Sequence, residues 1–290
     1  MLSRPGKRDA RRKALAQPLG ALLPGLFSAV FMLSPAALMA QDDAPIPRAA
    51  PRWPDGRISL TGPPGEIGNW DGRPGSTLAF NLSRDALDRS GFGSLNLPTN
   101  LTIDEVPFQA WARDVYNQRQ ASFTKDDPHT RCKPSGGPRM FHTPYGFEIL
   151  QLPDSAEIIF VSVGAPHSWR VVHMDGREHP VAPEPTWFGY SIGHWDGDTL
   201  VVDTIGFNDK FWLTREGIPH TTDLHLIERF TRRDFATLVY EVTIDDPGAY
   251  TDTWSGGWLI PWVPGNEPFD YLCQENNLDA ERMVGPDAER

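Results

Sequence analysis

Between positions 179 and 228 the chain gathers His179, His194, Asp196, Asp198, Asp203, Asn208, Asp209, His220, Asp223, His225 and Glu228. General acid–base catalysis and metal ligation both draw on these residue types, and histidine titrates close to neutral pH without help from its surroundings. His194, His225 and Glu228 are the candidates for acid–base work. Glu228 shares a strand face with Leu224, Leu226 and Phe230, so its carboxylate must be paired, protonated or set in a cavity, the pairing partner being an arginine such as Arg170. The opposite face carries Asp223, His225, Ile227 and Arg229, and the sequence leaves open which face turns inward. His220 and His225 are five apart, a spacing that suits neither a helical nor a strand-borne zinc pair, so no metal is expected. Gly189-Tyr-Ser191-Ile-Gly193 spells the letters of a nucleophile elbow but leads into a strand and an Asp-Gly turn where that motif needs a helix. No phosphate, dinucleotide or other cofactor motif is present, and none is expected to be used.

Seven of the ten tryptophans fall after residue 160. Indole walls suit planar, apolar or sugar-like ligands, with a polar edge for orientation. Trp187, Trp195, Trp212, Tyr190 and Arg229 are therefore the expected ligand contacts, converging with the acid–base residues on one tryptophan-lined cavity. Three functions follow from this pattern. The first is a cofactor-independent isomerase, lyase or hydrolase acting on an aromatic, terpenoid or sugar-derived molecule. The second is a non-catalytic periplasmic binding protein, and the third an envelope scaffold.

The elements that must position these residues are mostly β. After Cys132 the apolar pattern has period two, predicting strands at Phe147–Gln151, Glu157–Val163, Ser168–Met174, Tyr190–Trp195, Thr199–Asp203, Asp223–Phe230, Thr237–Ile244 and Phe269–Cys273. Asp175-Gly176 and Asp196-Gly197 read as two-residue hairpin turns. So many short antiparallel strands remove their own edges by closing into a barrel, with a sandwich as the alternative. Pro107, then Phe108, Trp111, Ala112 and Val115 at helical spacing, predict one short N-terminal helix ending before Asn117. Residues 41–100 are rich in Pro, Gly, Asp and Asn and form an irregular lead-in, with a short strand near Ile58–Leu60. The β-barrel domain with its helix spans 101–280 and a tail 281–290.

Residues 1–40 read as a signal peptide, with six basic residues in the first thirteen and an apolar stretch from Leu19 to Met39 ending in small residues. The alternative is a retained anchor. Removal of the leader leaves 21 basic against 37 acidic residues, a net charge of −16. Such a protein is repelled by nucleic acid and by anionic membranes, which leaves a small-molecule ligand as the expected partner; oligomeric state is not legible. The two cysteines, Cys132 and Cys273, are expected to form a disulfide in an oxidising compartment, periplasmic or secreted.

Four blocks carry a resemblance. They are Pro185–Asp209 (PTWFGYSIGHWDGDTLVVDTIGFND), Leu224–Phe230 (LHLIERF), Val242–Tyr250 (VTIDDPGAY) and Cys273–Asn277 (CQENN). In this order they resemble a large family of secreted bacterial proteins of acidobacterial and sphingomonad type, over roughly residues 125–280. The resemblance implies export and a shared β fold akin to lipocalin-type barrels, and carries no activity with it. The family often has histidine where this chain has Tyr190.

Overall fold

A computed structural model describes residues 48–277 except 63–64, 73–75, 84, 87–88, 90–95, 123–124, 144, 165–166 and 276. The expected leader and the tail 281–290 lie outside the described residues. The protein is mostly β, with 36% strand against 13% helix. Its strands in chain order are β1 (Gly68–Trp70), β2 (Ala79–Phe80), β3 (Leu101–Thr102), β4 (Phe147–Leu152), β5 (Glu157–Ser162), β6 (Ser168–His173), β7 (Tyr190–Asp196), β8 (Thr199–Ile205), β9 (His225–Asp234), β10 (Thr237–Asp245) and β11 (Trp254–Pro264). Nine of them form one large sheet in the order β1-β11-β10-β9-β8-β7-β6-β5-β4, and β1 also meets β4 at the single pair Trp70 and Phe147. β2 and β3 pair separately and in parallel.

The period-two reading locates β4 to β10. The alternation is clearest in β5, β6, β9 and β10, as in β9, where Leu226, Glu228, Phe230 and Arg232 are inside while His225, Ile227, Arg229 and Arg233 face outward; β7 buries only Ser191, and β8 buries Leu200, Val201 and Val202 in a row. The hairpin between β7 and β8 forms, with Gly197 at φ 61° and Asp196 opposite Thr199. The hairpin expected at Asp175-Gly176 does not. Gly176 does turn the chain with φ 78°, but into a long connection, and β6 and β7 meet in parallel through only two residue pairs. The expected strand Phe269–Cys273 is irregular chain after Pro268, whereas β11, not expected, is the longest strand. The lead-in likewise contributes β1 to the sheet, while Ile58 makes only an isolated bridge with Arg52.

Helix α1 runs Ala110–Ala121, three residues beyond Pro107 at its start and well past the expected end. Its buried residues are Ala112 and Tyr116, with Phe108 ahead of the helix stacked 5.8 Å from Tyr116 and 5.6 Å from Tyr250. Trp111 instead lies out, donating its indole N–H to the Gly248 carbonyl at 2.9 Å.

The inner face of the sheet is filled. Phe141, from the 3-10 turn Gly137–His142, sits with ring centroids 5.0 to 5.2 Å from Phe147, Phe160, Phe230 and Tyr240, and Tyr240 lies 4.8 Å from Trp258. This aromatic plug takes the space that the sequence reserved for a ligand. Beside it Arg170 of β6 forms an ion pair with Glu228, and both side chains are excluded from solvent. Arg170 also donates to Ser191 at 2.9 Å and Thr204 at 2.6 Å, and the Tyr240 hydroxyl donates to Glu228 at 2.9 Å. A buried charge is tolerated only with such partners. Cys132 and Cys273 are disulfide-bonded across 141 residues. Among the described residues no helix is long and apolar enough to cross a membrane.

Candidate functional site

The sheet's alternation separates the residues that the sequence joins. Glu228 is inside, held by Arg170 and Tyr240, while His225 and Arg229 are outside on the same strand. The His194, Glu228 and His225 side chains therefore do not converge on one cavity. The reason is the strand's period of two, which puts positions 225 and 228 on opposite faces. Arg229 is spent on Asp196 at 2.7 Å, Tyr190 accepts a hydrogen bond from Arg177 at 3.1 Å on the outer face, and Trp212 is buried beneath Arg119, 4.4 Å from its guanidinium. Trp187 packs against the core edge. Of the expected set only His194 and Trp195 border a cleft together.

On the outer face His225 and His179 both donate Nε2–H to one carboxylate oxygen of Asp203, at 2.7 and 2.8 Å. Burial alone would raise the Asp203 pKa, but the two imidazole hydrogen bonds more than offset it and the net shift is downward. His225 is raised in turn, chiefly by its hydrogen bond to Asp203. The carboxylate oxygen stands where a cation bridging the two imidazoles would need to be. Among the described residues no group of three or more His, Cys, Asp or Glu side chains is arranged to hold a metal.

A second constellation, absent from the sequence reading, surrounds a cleft of about 320 Å³ just before the start of β4. Its walls include Asp71 and Gly72 after β1, Asp127, His129 and Thr130, Arg139 and His142 of the next turn, Tyr145 and the exposed Arg215. Local chemistry sets each of these. Asp127 caps the 3-10 turn Pro128–Arg131 by accepting from the His129 amide at 2.9 Å. The same carboxylate takes both terminal nitrogens of Arg139 in a buried, forked ion pair. That turn ends at Cys132 in the left-handed region, φ 58°, so the disulfide anchors the wall carrying His129. Tyr145 is likewise left-handed, φ 80°, a costly conformation for a residue with a side chain, and it is braced by the rings of Tyr271 at 4.9 Å and Phe269 at 5.3 Å. Gly72 passes so close to Phe141 that a Cβ there would lie 2.0 Å from its carbonyl oxygen.

The two histidines of this cleft are both held neutral. Burial, reinforced by the guanidinium of Arg139, pushes His129 down to about 4. Burial also lowers His142, against the pull of Glu216 and with the push of Arg139 and Arg215. His129 Nδ1 is bonded to the Ser135 hydroxyl at 2.7 Å, which fixes the ring in the cleft wall and leaves Nε2 without a hydrogen-bond partner among the described residues. Among the described residues neither ring nitrogen of His142 has a hydrogen-bond partner, and Arg215 has no ion pair. The cleft thus combines ready imidazole lone pairs with one unspent cation. Comparison with family models, with curated proteins and with solved structures finds no match to this chain.

Proposed function

We propose that this is an exported barrel protein, closed at the β1–β4 seam, whose polar cleft around His129 and His142 performs cofactor-independent acid–base chemistry on a small anionic molecule. The reaction class is isomerisation, elimination or hydrolysis. The observation that carries this reading is the gathering in one cleft of His129 and His142, from two 3-10 turns, and Arg215, which has no ion pair among the described residues. The charge logic is direct. An incoming carboxylate or phosphate is held by Arg215 and offsets the guanidinium repulsion that adds to burial in lowering both imidazoles. Their basicity then rises by the part that this repulsion had taken away, at the moment the ligand is seated, which is the direction a general base needs. Export is supported by the basic and apolar leader and by the disulfide.

The filled inner face favours a second reading, an envelope scaffold with no ligand, and the cleft is what separates the two. The test is a screen of small carboxylates and their esters for binding, by calorimetry in buffers of different ionisation enthalpy, and for turnover, by proton NMR. Binding accompanied by proton uptake, weakened in Arg215→Ala, and turnover abolished in His129→Asn and His142→Asn, is the expected result. Binding without proton uptake, or turnover unchanged in both histidine variants, refutes the proposal.

A further inference from the structure

A different cleft, of about 340 Å³, opens at the far end of β4. It lies where the sheet is parted. β6 and β7 are joined only through Val172 with Ser191 and His173 with Ile192, after which Met174 on one side and Gly193 to Trp195 on the other diverge. Gly193 keeps the floor low, since a Cβ there would come within 2.7 Å of both the Met174 sulfur and the Val172 methyl. Two indoles form walls, Trp195 from β7 and Trp53 from the lead-in. Trp53 is fixed in place, its Nε1–H donating to the Gln151 side chain at 3.3 Å. Gln151 in turn accepts from the Leu60 amide at 2.7 Å and donates to the Ile58 carbonyl at 3.3 Å, pinning the lead-in to the end of β4.

The rim carries Glu157, Arg57 and His194. Glu157 accepts hydrogen bonds, Arg57 donates them and the imidazole of His194 offers ring nitrogens of its own. Arg57 already has Asp55 as its ion partner and Glu157 faces His173 at 3.6 Å, so the rim carries no unbalanced charge to draw an ion, while a flat apolar molecule strips water from its remaining polar atoms without replacing it. A neutral ring with an apolar face and hydroxyls at its edge satisfies every group at once. The volume is at the small end of the roughly 300–1,000 Å³ usual for ligand sites, enough for one or two such rings. We infer that the Trp53–Trp195 cleft is a binding site for a neutral sugar, its pyranose ring stacked on indole and its hydroxyls on Glu157, Arg57 and His194. This cleft and the histidine cleft border opposite ends of β4 and share no lining residue, so the inference stands independently of the activity proposed above.

The experiment titrates the mature protein with maltose, cellobiose and N,N′-diacetylchitobiose, following the indole N–H signals by two-dimensional NMR. At least one sugar should give saturable shifts. Trp53→Ala should weaken its binding about tenfold, the loss expected of one aromatic platform. Trp169, 67% exposed on β6 outside the cleft, serves as the control, and Trp169→Ala should bind normally. Glu157→Gln, at a half-exposed rim position, provides a second variant should Trp53→Ala disturb the lead-in, and it too should weaken binding. His129→Asn should leave sugar binding intact, which separates this inference from the fate of the acid–base proposal. Absence of saturable binding by all three sugars overturns the inference. So does binding of uncharged indole without sugar binding, or sugar binding unaltered in both Trp53→Ala and Glu157→Gln.

Discussion

Acidification should unfold this protein partly through one side chain, His129. Its pKa lies at about 4 in the folded protein against 6.5 when free, so between those values the unfolded chain binds a proton that the folded chain refuses. Stability linked to this group is therefore present above the unfolded value and is lost as pH falls through the window toward the folded value. From pH 7 to pH 5 the loss is about 2 kcal/mol, and it levels off at about 3 kcal/mol once pH is below both values. His129→Asn isolates this contribution, because asparagine retains a partner for the Ser135 hydroxyl bonded to Nδ1 and does not titrate. Urea denaturation of both proteins at a series of pH values, with the disulfide intact, reads the difference directly, since carboxylate contributions are common to both and cancel. The stability gap between wild type and variant should shrink by about 2 kcal/mol from pH 7 to pH 5. Parallel curves over that interval would show that His129 is not held neutral by its burial and by Arg139, and the charge logic of the cleft would go with it.

Glu228→Gln leaves Arg170 charged and unpaired inside the sheet, and thermal unfolding should report a loss of about 3–5 kcal/mol, much of it recovered when Arg170→Met is added. Gly72→Ala drives a methyl group into the Phe141 carbonyl and should cost about 1–3 kcal/mol by the same assay, with no compensating gain. Reducing the Cys132–Cys273 bond releases a span of 141 residues, and in the chain-entropy picture should lower stability by about 5 kcal/mol, measured as a shift of the urea midpoint in dithiothreitol. Intact mass of protein recovered from the periplasm or medium should show loss of about forty residues, whereas a full-length chain would rule out the cleavage.

The strands β5, β6, β9 and β10 were legible because each has one face buried and one wet, which writes a period of two into the residues, and β7 and β8 were legible through the Asp-Gly turn that joins them. β11 escaped for the opposite reason. Its segment WSGGWLIPWVP puts Gly256 among the buried residues and Gly257, Leu259, Pro261 and Val263 where polar residues would alternate. Those glycines admit close neighbours rather than a turn. A Cβ on Gly256 would lie 2.7 Å from the Leu78 carbonyl, and the Asn100 amide pairs with both the N–H and the C=O of Gly257 at 2.8 Å. Asp175-Gly176 failed as a hairpin because a turn signal specifies a local reversal, not the strand that follows it. The pairing of Glu228 with Arg170 was readable as an alternative, since a carboxylate among Leu224, Leu226 and Phe230 has few other fates. The histidine cleft was not readable, because Asp71, His129, His142 and Arg215 lie in loops and short 3-10 turns too brief to show a period. One local signal was available: Asp127-Pro128 is a helix-start pattern, and it places His129 in the first turn beside Cys132.

The two thin seams of the sheet divide it into leaves of unequal strength. One seam is the single Trp70–Phe147 pair and the other the two pairs between β6 and β7, so β4, β5 and β6 form a three-stranded leaf fastened to the rest by very little ladder. Within the larger leaf β8, β9 and β10 are paired along nearly their whole length. Backbone amides exchange with solvent at the pace of the local opening that frees them, and cooperative units with few shared hydrogen bonds part at lower free energy than the molecule as a whole. The small leaf is therefore the unit that swings first, with β4 as its inner margin. Both clefts straddle the lines along which it would part, so a ligand seated in either one acts as a clasp, and deuterium uptake by Phe147–His173 would report its arrival from across the molecule.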